Sequence, residues 1–142
     1  MTPEEFRAFL DDISLCFTER NFDGWLARIL LPFSMVTQQG PLLLATRDAL
    51  ERNFDLYLQA QKAMQLDAIF RRPVSLENCH DGTWIGTYET ELLSHGQRVT
   101  APYTSSALIH GTDEGYKMSS ILNARGHHPW TGTSPAIEGR MT

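Results

Sequence analysis

Positive charge is scarce in this chain: 12 lysines and arginines face 17 acids, a formal net charge of -5. Gripping nucleic acid requires a basic stripe that neutralises phosphates. The adjacent pair Arg71-Arg72 leads into no such run and reads as a solvated or internally paired doublet. Nucleic acid is therefore excluded as an expected partner. Cysteine is nearly absent. Cys16 and Cys79 lack metal-ligand spacing, and Cys16 lies in an apolar helical pattern that suits a small buried hydrophobe. A lone disulfide would be unusual in a chain of cytosolic character. No apolar run approaches the ~18 residues of a membrane span, and no cationic, then apolar leader opens the sequence. The expectation is a cytoplasmic protein with no membrane partner. A glycine-rich phosphate loop, a nucleophile elbow and a Ser/His/Asp order are missing too, so no metal, nucleotide or flavin cofactor is expected.

What is present suits one globular domain. Hydrophobic residues make up 42% and charged residues 20% of 142, a chain long enough to bury roughly 70% of its unfolded surface. Thr2-Pro3-Glu4-Glu5 supplies an N-cap, a proline at the first helical position and acids in the first turn. Phe6, Phe9, Leu10, Ile13 and Phe17 follow at the spacing of one helical face. A second, short helix is predicted from Asn21 to about Leu30, with Trp25, Leu26 and Ile29 on its apolar side. Pro32 ends that pattern. Phe33 to Thr37 and Leu42 to Ala45 then flank a turn-like cluster and predict a β-hairpin. Thr46 caps a third helix whose apolar face carries Leu50, Phe54, Tyr57, Leu58 and Gln61.

Beyond Asp67 the pattern changes. Turn signals at Asp81-Gly82, His95-Gly96 and Thr112 to Gly115 divide segments rich in Thr, Tyr, Val and Ile. They predict four long antiparallel strands at about 67–79, 83–94, 98–110 and 116–124. The fold class is α+β: three N-terminal helices packed in the concave face of a long, curved, mixed or antiparallel sheet. The domain is expected to span 1–126, with an irregular tail over 127–142.

Leu31-Pro32-Phe33-Ser34-Met35-Val36-Thr37, Thr46-Arg47-Asp48-Ala49-Leu50 and Gly115 to Asn123 fall in the order of a first hairpin strand, a third helix and a closing strand. Over about residues 3–125 the chain thereby resembles the cone-shaped nuclear transport factor 2-like superfamily, which includes ketosteroid isomerases and SnoaL-like polyketide cyclases. The resemblance implies a cavity inside the cone and a homodimer through the outer face of the sheet. It does not imply steroid isomerisation. That chemistry uses a tyrosine on the first helix, an aspartate on the hairpin and an aspartic acid after an Ala-Pro pair. Here the first helix has no tyrosine, the hairpin offers Thr37, and Tyr103-Thr104 follows Ala101-Pro102.

The resemblance also implies which side chains enter the cone. Trp84, Tyr88, Thr90 and Leu92 are expected inward, with Thr104, Ser106 and Leu108 on the next strand and Ser119, Ile121 and Asn123 on the last. Glu89, Glu91, Tyr103, Ser105, Ala107, Ile109, Met118 and Leu122 are expected on the outer face, where the apolar ones would form the dimer interface. The candidate ligand-binding set is thus Tyr57, Trp84, Tyr88, Thr104, Ser106, Ser119 and Asn123, with no catalytic residue assigned. Tyr57 and Tyr88 suit a ligand wall and equally a core with satisfied hydroxyls. Asn123 suits a buried polar contact or a local turn. Glu89 and Glu91 read as a general acid/base pair or as outer-face partners of Arg98. His80, His95 and His110 read as strand-end or turn residues rather than metal ligands. The expected partner is a small hydrophobic molecule. The alternatives are a SnoaL-like cyclase, isomerase or dehydratase, and a dimeric interaction module with a filled cone.

Overall fold

The computed structural model describes residues 1–37 and 40–123. The helices are α1 (Pro3–Thr18), α2 (Phe22–Leu26) and α3 (Arg47–Ala63). The strands are β1 (Ile29–Thr37), β2 (Gly40–Leu44), β3 (Ala68–Asn78), β4 (Thr83–Ser94), β5 (Gln97–Arg98), β6 (Tyr103–Thr112) and β7 (Gly115–Asn123). The end of the domain near 126, the tail 127–142 and His127-His128 lie outside the described residues.

Local chemistry sets the helix starts. Thr2 accepts a hydrogen bond from the Glu5 amide while the Glu5 carboxylate reaches back to the Thr2 amide, closing a capping box on α1. Thr46 caps α3 through the Ala49 amide. The second helix is shorter than its sequence pattern suggests. From Ile29 the backbone is drawn into the sheet, where Ile29 lies beside Met118, so Pro32 sits within a strand and not at a helix end.

Among the described residues the sheet has seven strands in the order β2-β1-β7-β6-β4-β3, with β5 attached to β4. All pairings are antiparallel except β1 with β7, which is parallel. The sheet is mixed and open, and the three helices fill its hollow side. Phe6, Phe33, Phe54, Leu50, Leu92 and Ile109 are almost wholly buried in the layer between them. Helix and sheet approach closely at Gly86, where a β-carbon would stand 2.6 Å from the Phe6 ring; any side chain there would force that ring to move.

The register corrects the expected strand faces. Tyr88 stands opposite Ser105 and Glu89 opposite Thr104, and directly opposed residues share a face. With Tyr88 inward, Ser105 is inward and Thr104 outward. Tyr103, Ser105, Ala107 and Ile109 are accordingly buried under the helices and do not form an outer patch. Where β6 pairs with β7, Ile109 faces Met118 while Leu108 faces Ser120, so Ser119 is the extra residue of a bulge in β7. That bulge turns Met118 inward alongside Ile121 and Asn123, and Leu122 keeps its expected outward place, half exposed.

Candidate functional site

Cross-strand pairing lays three rows of side chains along the hollow of the sheet. One row runs Arg71, Thr90, Tyr103. The next runs Pro73, Tyr88, Ser105, Asn123. The third is apolar and runs Leu76, Gly86, Ala107, Ile121, Met35. A cavity of about 40 Å3 lies between these rows and the helices, closed by Ile13 and Phe17 of α1, Trp25 of α2 and Tyr57 of α3. The helical wall is aromatic: Phe17 stands edge-on to Trp25 at 5.0 Å and to Tyr57 at 6.0 Å between ring centres. The sheet thus supplies polar groups at one end, and the helices supply rings.

Arg71 dominates the polar end. It is 8% exposed, and its Nη1 donates to Ser14 Oγ at 2.8 Å. Its guanidinium lies 5.7 Å from the centre of the Phe17 ring, within cation–π range. Among the described residues no carboxylate comes within ion-pair distance of it. The neighbouring row carries a directional hydrogen-bond chain. Ser105 Oγ donates to Asn123 Oδ1 at 2.6 Å. A hydroxyl has one proton to give, so Ser105 is left to accept from Tyr88, whose phenol also adjoins Arg71. Two further polar groups on the cavity wall lack a well-formed hydrogen bond among the described residues: the Trp25 indole N–H and the Thr90 hydroxyl, which lies beside the Tyr103 phenol.

Burial keeps the phenols neutral. It pushes Tyr57 up to about 12, with the neighbouring Tyr88 adding to the rise and the Arg71 charge opposing it. Burial raises Tyr88 and Tyr103 as well, again against the pull of Arg71. These groups therefore serve as hydrogen-bond donors at neutral pH and not as bases. Among the described residues no Asp, Glu or His lines the cavity, and no group of three metal-ligating side chains gathers anywhere.

Of the seven residues expected from the sequence, the structure brings together Tyr57, Tyr88 and Asn123. Trp84 faces the hollow but lies beyond the cavity, edge-on to Tyr116 at 5.7 Å. Thr104, Ser106 and Ser119 are on the outer face, for the register reasons given above. There Ser106 bonds Thr87 at 2.8 Å, and Ser119 bonds His110 at 2.7 Å. Glu89 and Glu91 are outside too, paired with Arg72 at 2.6 Å and Arg98 at 2.8 Å. His80 and His95 occupy turn positions with positive φ. Sequence reasoning missed Arg71, Trp25, Tyr103 and Ser105. A signal for Arg71 was available: it is two residues from Ile69, so strand alternation puts both on one face.

No family model matches the sequence, and no curated protein matches it either. Solved structures do share its fold. Aln2 from a Streptomyces species superposes with a TM-score of 0.71 at 14% identity, covering 100% of this chain and 99% of that one. An NTF-2 like protein of unknown function from Shewanella oneidensis gives 0.67 at 6% identity, covering 86% and 98%. A candidate dehydratase of the NTF2-like family from Streptomyces avermitilis gives 0.61 at 16%, covering 85% and 96%. At these identities the likeness establishes an NTF2-like fold. No helix among the described residues is long and apolar enough to cross a membrane.

Proposed function

Starting from the NTF2-like fold, we propose that this protein binds a small, mostly apolar molecule inside its cone. The observation that carries this reading is the lining of the cavity, where aromatic rings on the helices face hydroxyl, amide and guanidinium groups on the sheet. Rings that bury apolar area and a few fixed polar groups that orient a ligand are what such sites require. The proposed contacts are Tyr57, Tyr88 and Asn123, joined by Trp25, Arg71 and Ser105. A cavity of about 40 Å3 offers room for roughly three waters. A ligand's polar end enters that space directly, and its apolar body requires the aromatic wall to shift.

Binding is favoured over acid–base catalysis because the phenols are held neutral and no carboxylate or imidazole among the described residues reaches the cavity. A SnoaL-like cyclase, isomerase or dehydratase draws its support from Arg71, since a buried cation beside phenol donors would stabilise an oxyanion developing on a substrate. The proposal extends to assembly: a cytoplasmic homodimer that pairs through the outer face of the sheet.

The test is a panel of small aromatic and polyketide-like compounds, screened by thermal shift and tryptophan fluorescence. At least one compound is expected to raise the melting temperature and alter the emission, with the emission change lost in Trp25→Phe. A panel that leaves both signals unchanged would sink the reading in favour of an interaction module with an inert cone.

A further inference from the structure

Two polar groups on the cavity wall call for an acceptor. A buried cation is costly unless paired. Arg71 nevertheless sits in the cone with a neutral hydroxyl, Ser14 Oγ, as its geometrically well-formed partner. Trp25, 4% exposed, presents an indole N–H that can only donate, and it has no acceptor among the described residues. The Tyr88 phenol beside the guanidinium is held neutral by burial, so it leaves the Arg71 charge uncompensated. The wall therefore carries donors in excess and one net positive charge. From this geometry we infer that the molecule bound in the cone carries a single carboxylate, gripped by Arg71.

The deduction rests on the ligand-binding reading and names the ligand's head. A planar carboxylate matches the fork of a guanidinium, which has five N–H donors and uses one on Ser14. A phosphate dianion would require a second cation, and no other Lys or Arg lines the cavity among the described residues. The apolar row of Met35, Ala107 and Ile121 adjoins the row of Tyr88, Ser105 and Asn123 on the side away from Arg71. A ligand with its carboxylate at Arg71 thus has its hydrocarbon body directed toward Met35, Ile121 and Trp25. Arg72, next in sequence, takes no part: it is exposed and paired with Glu89 on the opposite face.

The test compares three acids with their uncharged amides: acetate, butyrate and benzoate against acetamide, butyramide and benzamide. Binding is measured by calorimetry and thermal shift at neutral pH and constant ionic strength. The unmodified protein is expected to bind each acid ~30-fold or more tightly than its amide, the cost of leaving a buried charge unpaired. Arg71→Met, with its fold confirmed by circular dichroism, is expected to lose that preference, and Arg71→Lys to keep part of it. The comparison in the unmodified protein stands even if Arg71→Met fails to fold. Equal binding of acids and amides would overturn the carboxylate assignment and leave the ligand-binding reading intact. A preference for acids that survives in folded Arg71→Met would remove Arg71 as the counter-ion. If no acid, no amide and no compound of the wider panel bound, the ligand-binding reading would fall as well.

Discussion

Arg71 and Arg72 are adjacent in the chain and opposite in circumstance. Strand alternation sends Arg72 to the solvent, where Glu89 pairs with it, and Arg71 into a cone lined with rings. The cone is lined by three of the chain's four tyrosines, Tyr88 and Tyr103 from the sheet and Tyr57 from α3, and all four are raised above their ordinary value. This has a consequence that titration can detect. In the unfolded chain the phenols release their protons near pH 10, the ordinary value, whereas Tyr57 in the fold holds its proton to about 12. Between those limits the unfolded state binds fewer protons than the native state, so stability falls as pH rises through the window. Below pH 10 the contribution is fully present. Tyrosinate absorbance of the folded protein is therefore expected to lag behind that of the urea-unfolded chain at about pH 11. The urea midpoint should drop from about pH 9 to about pH 11. Coincident titration curves for the two states would show that the cone does not bury its phenols.

Among the elements, helices were far more legible in the sequence than strand faces. Thr2 with Glu5, and Thr46 before Arg47, signal helix starts by contacts three residues apart, so neither needs knowledge of the tertiary fold. Leu50, Phe54, Leu58 and Gln61 are buried as their spacing requires. Turn signals likewise located the long strands. The face each strand presents is a different kind of quantity, because it depends on pairing with a distant partner. One residue of register reverses it, and the bulge at Ser119 does so within β7. Tyr88 and Asn123 came out on the expected side, and Thr104, Ser106 and Ser119 did not. The corrected faces can be checked with one pair of substitutions. Ser105→Ala removes the proton that Asn123 Oδ1 accepts inside the cone and is expected to cost about 1–3 kcal/mol. Thr104→Ala, one residue away on the outer face, is expected to stay within about 0.5 kcal/mol. Urea denaturation measures both, and the reverse ranking would restore the original strand faces.

At the scale of the whole molecule, the corrected register also changes what the outer face offers a partner. Most of the side chains first expected there are buried under the helices. Leu122 stays there and is joined by Val36, Leu43 and Ile85, the four being between 38% and 63% exposed. Pairing makes them neighbours on one face: Val36 lies beside Leu122, Leu122 opposite Ser106, and Ile85 opposite Leu108. Between them stand the hydroxyls of Thr87 and Ser106, bonded to each other. The ion pairs Arg72–Glu89 and Arg98–Glu91 lie toward the β3–β4 side. An apolar centre with charges at its margin is how interfaces between protein surfaces are commonly built, and a self-complementary face favours two-fold pairing. Light scattering at micromolar concentration is expected to return about twice the 16.1 kDa chain mass. Leu122→Glu would place a like charge from each protomer in the contact and is expected to yield a monomer that keeps its fold. Because Leu122 points away from the cone, that monomer should bind the acids of the panel as the dimer does. A monomeric mass for the unmodified protein would end the pairing proposal and leave the cavity proposal standing. Loss of acid binding in a folded Leu122→Glu monomer would instead show that pairing shapes the cone.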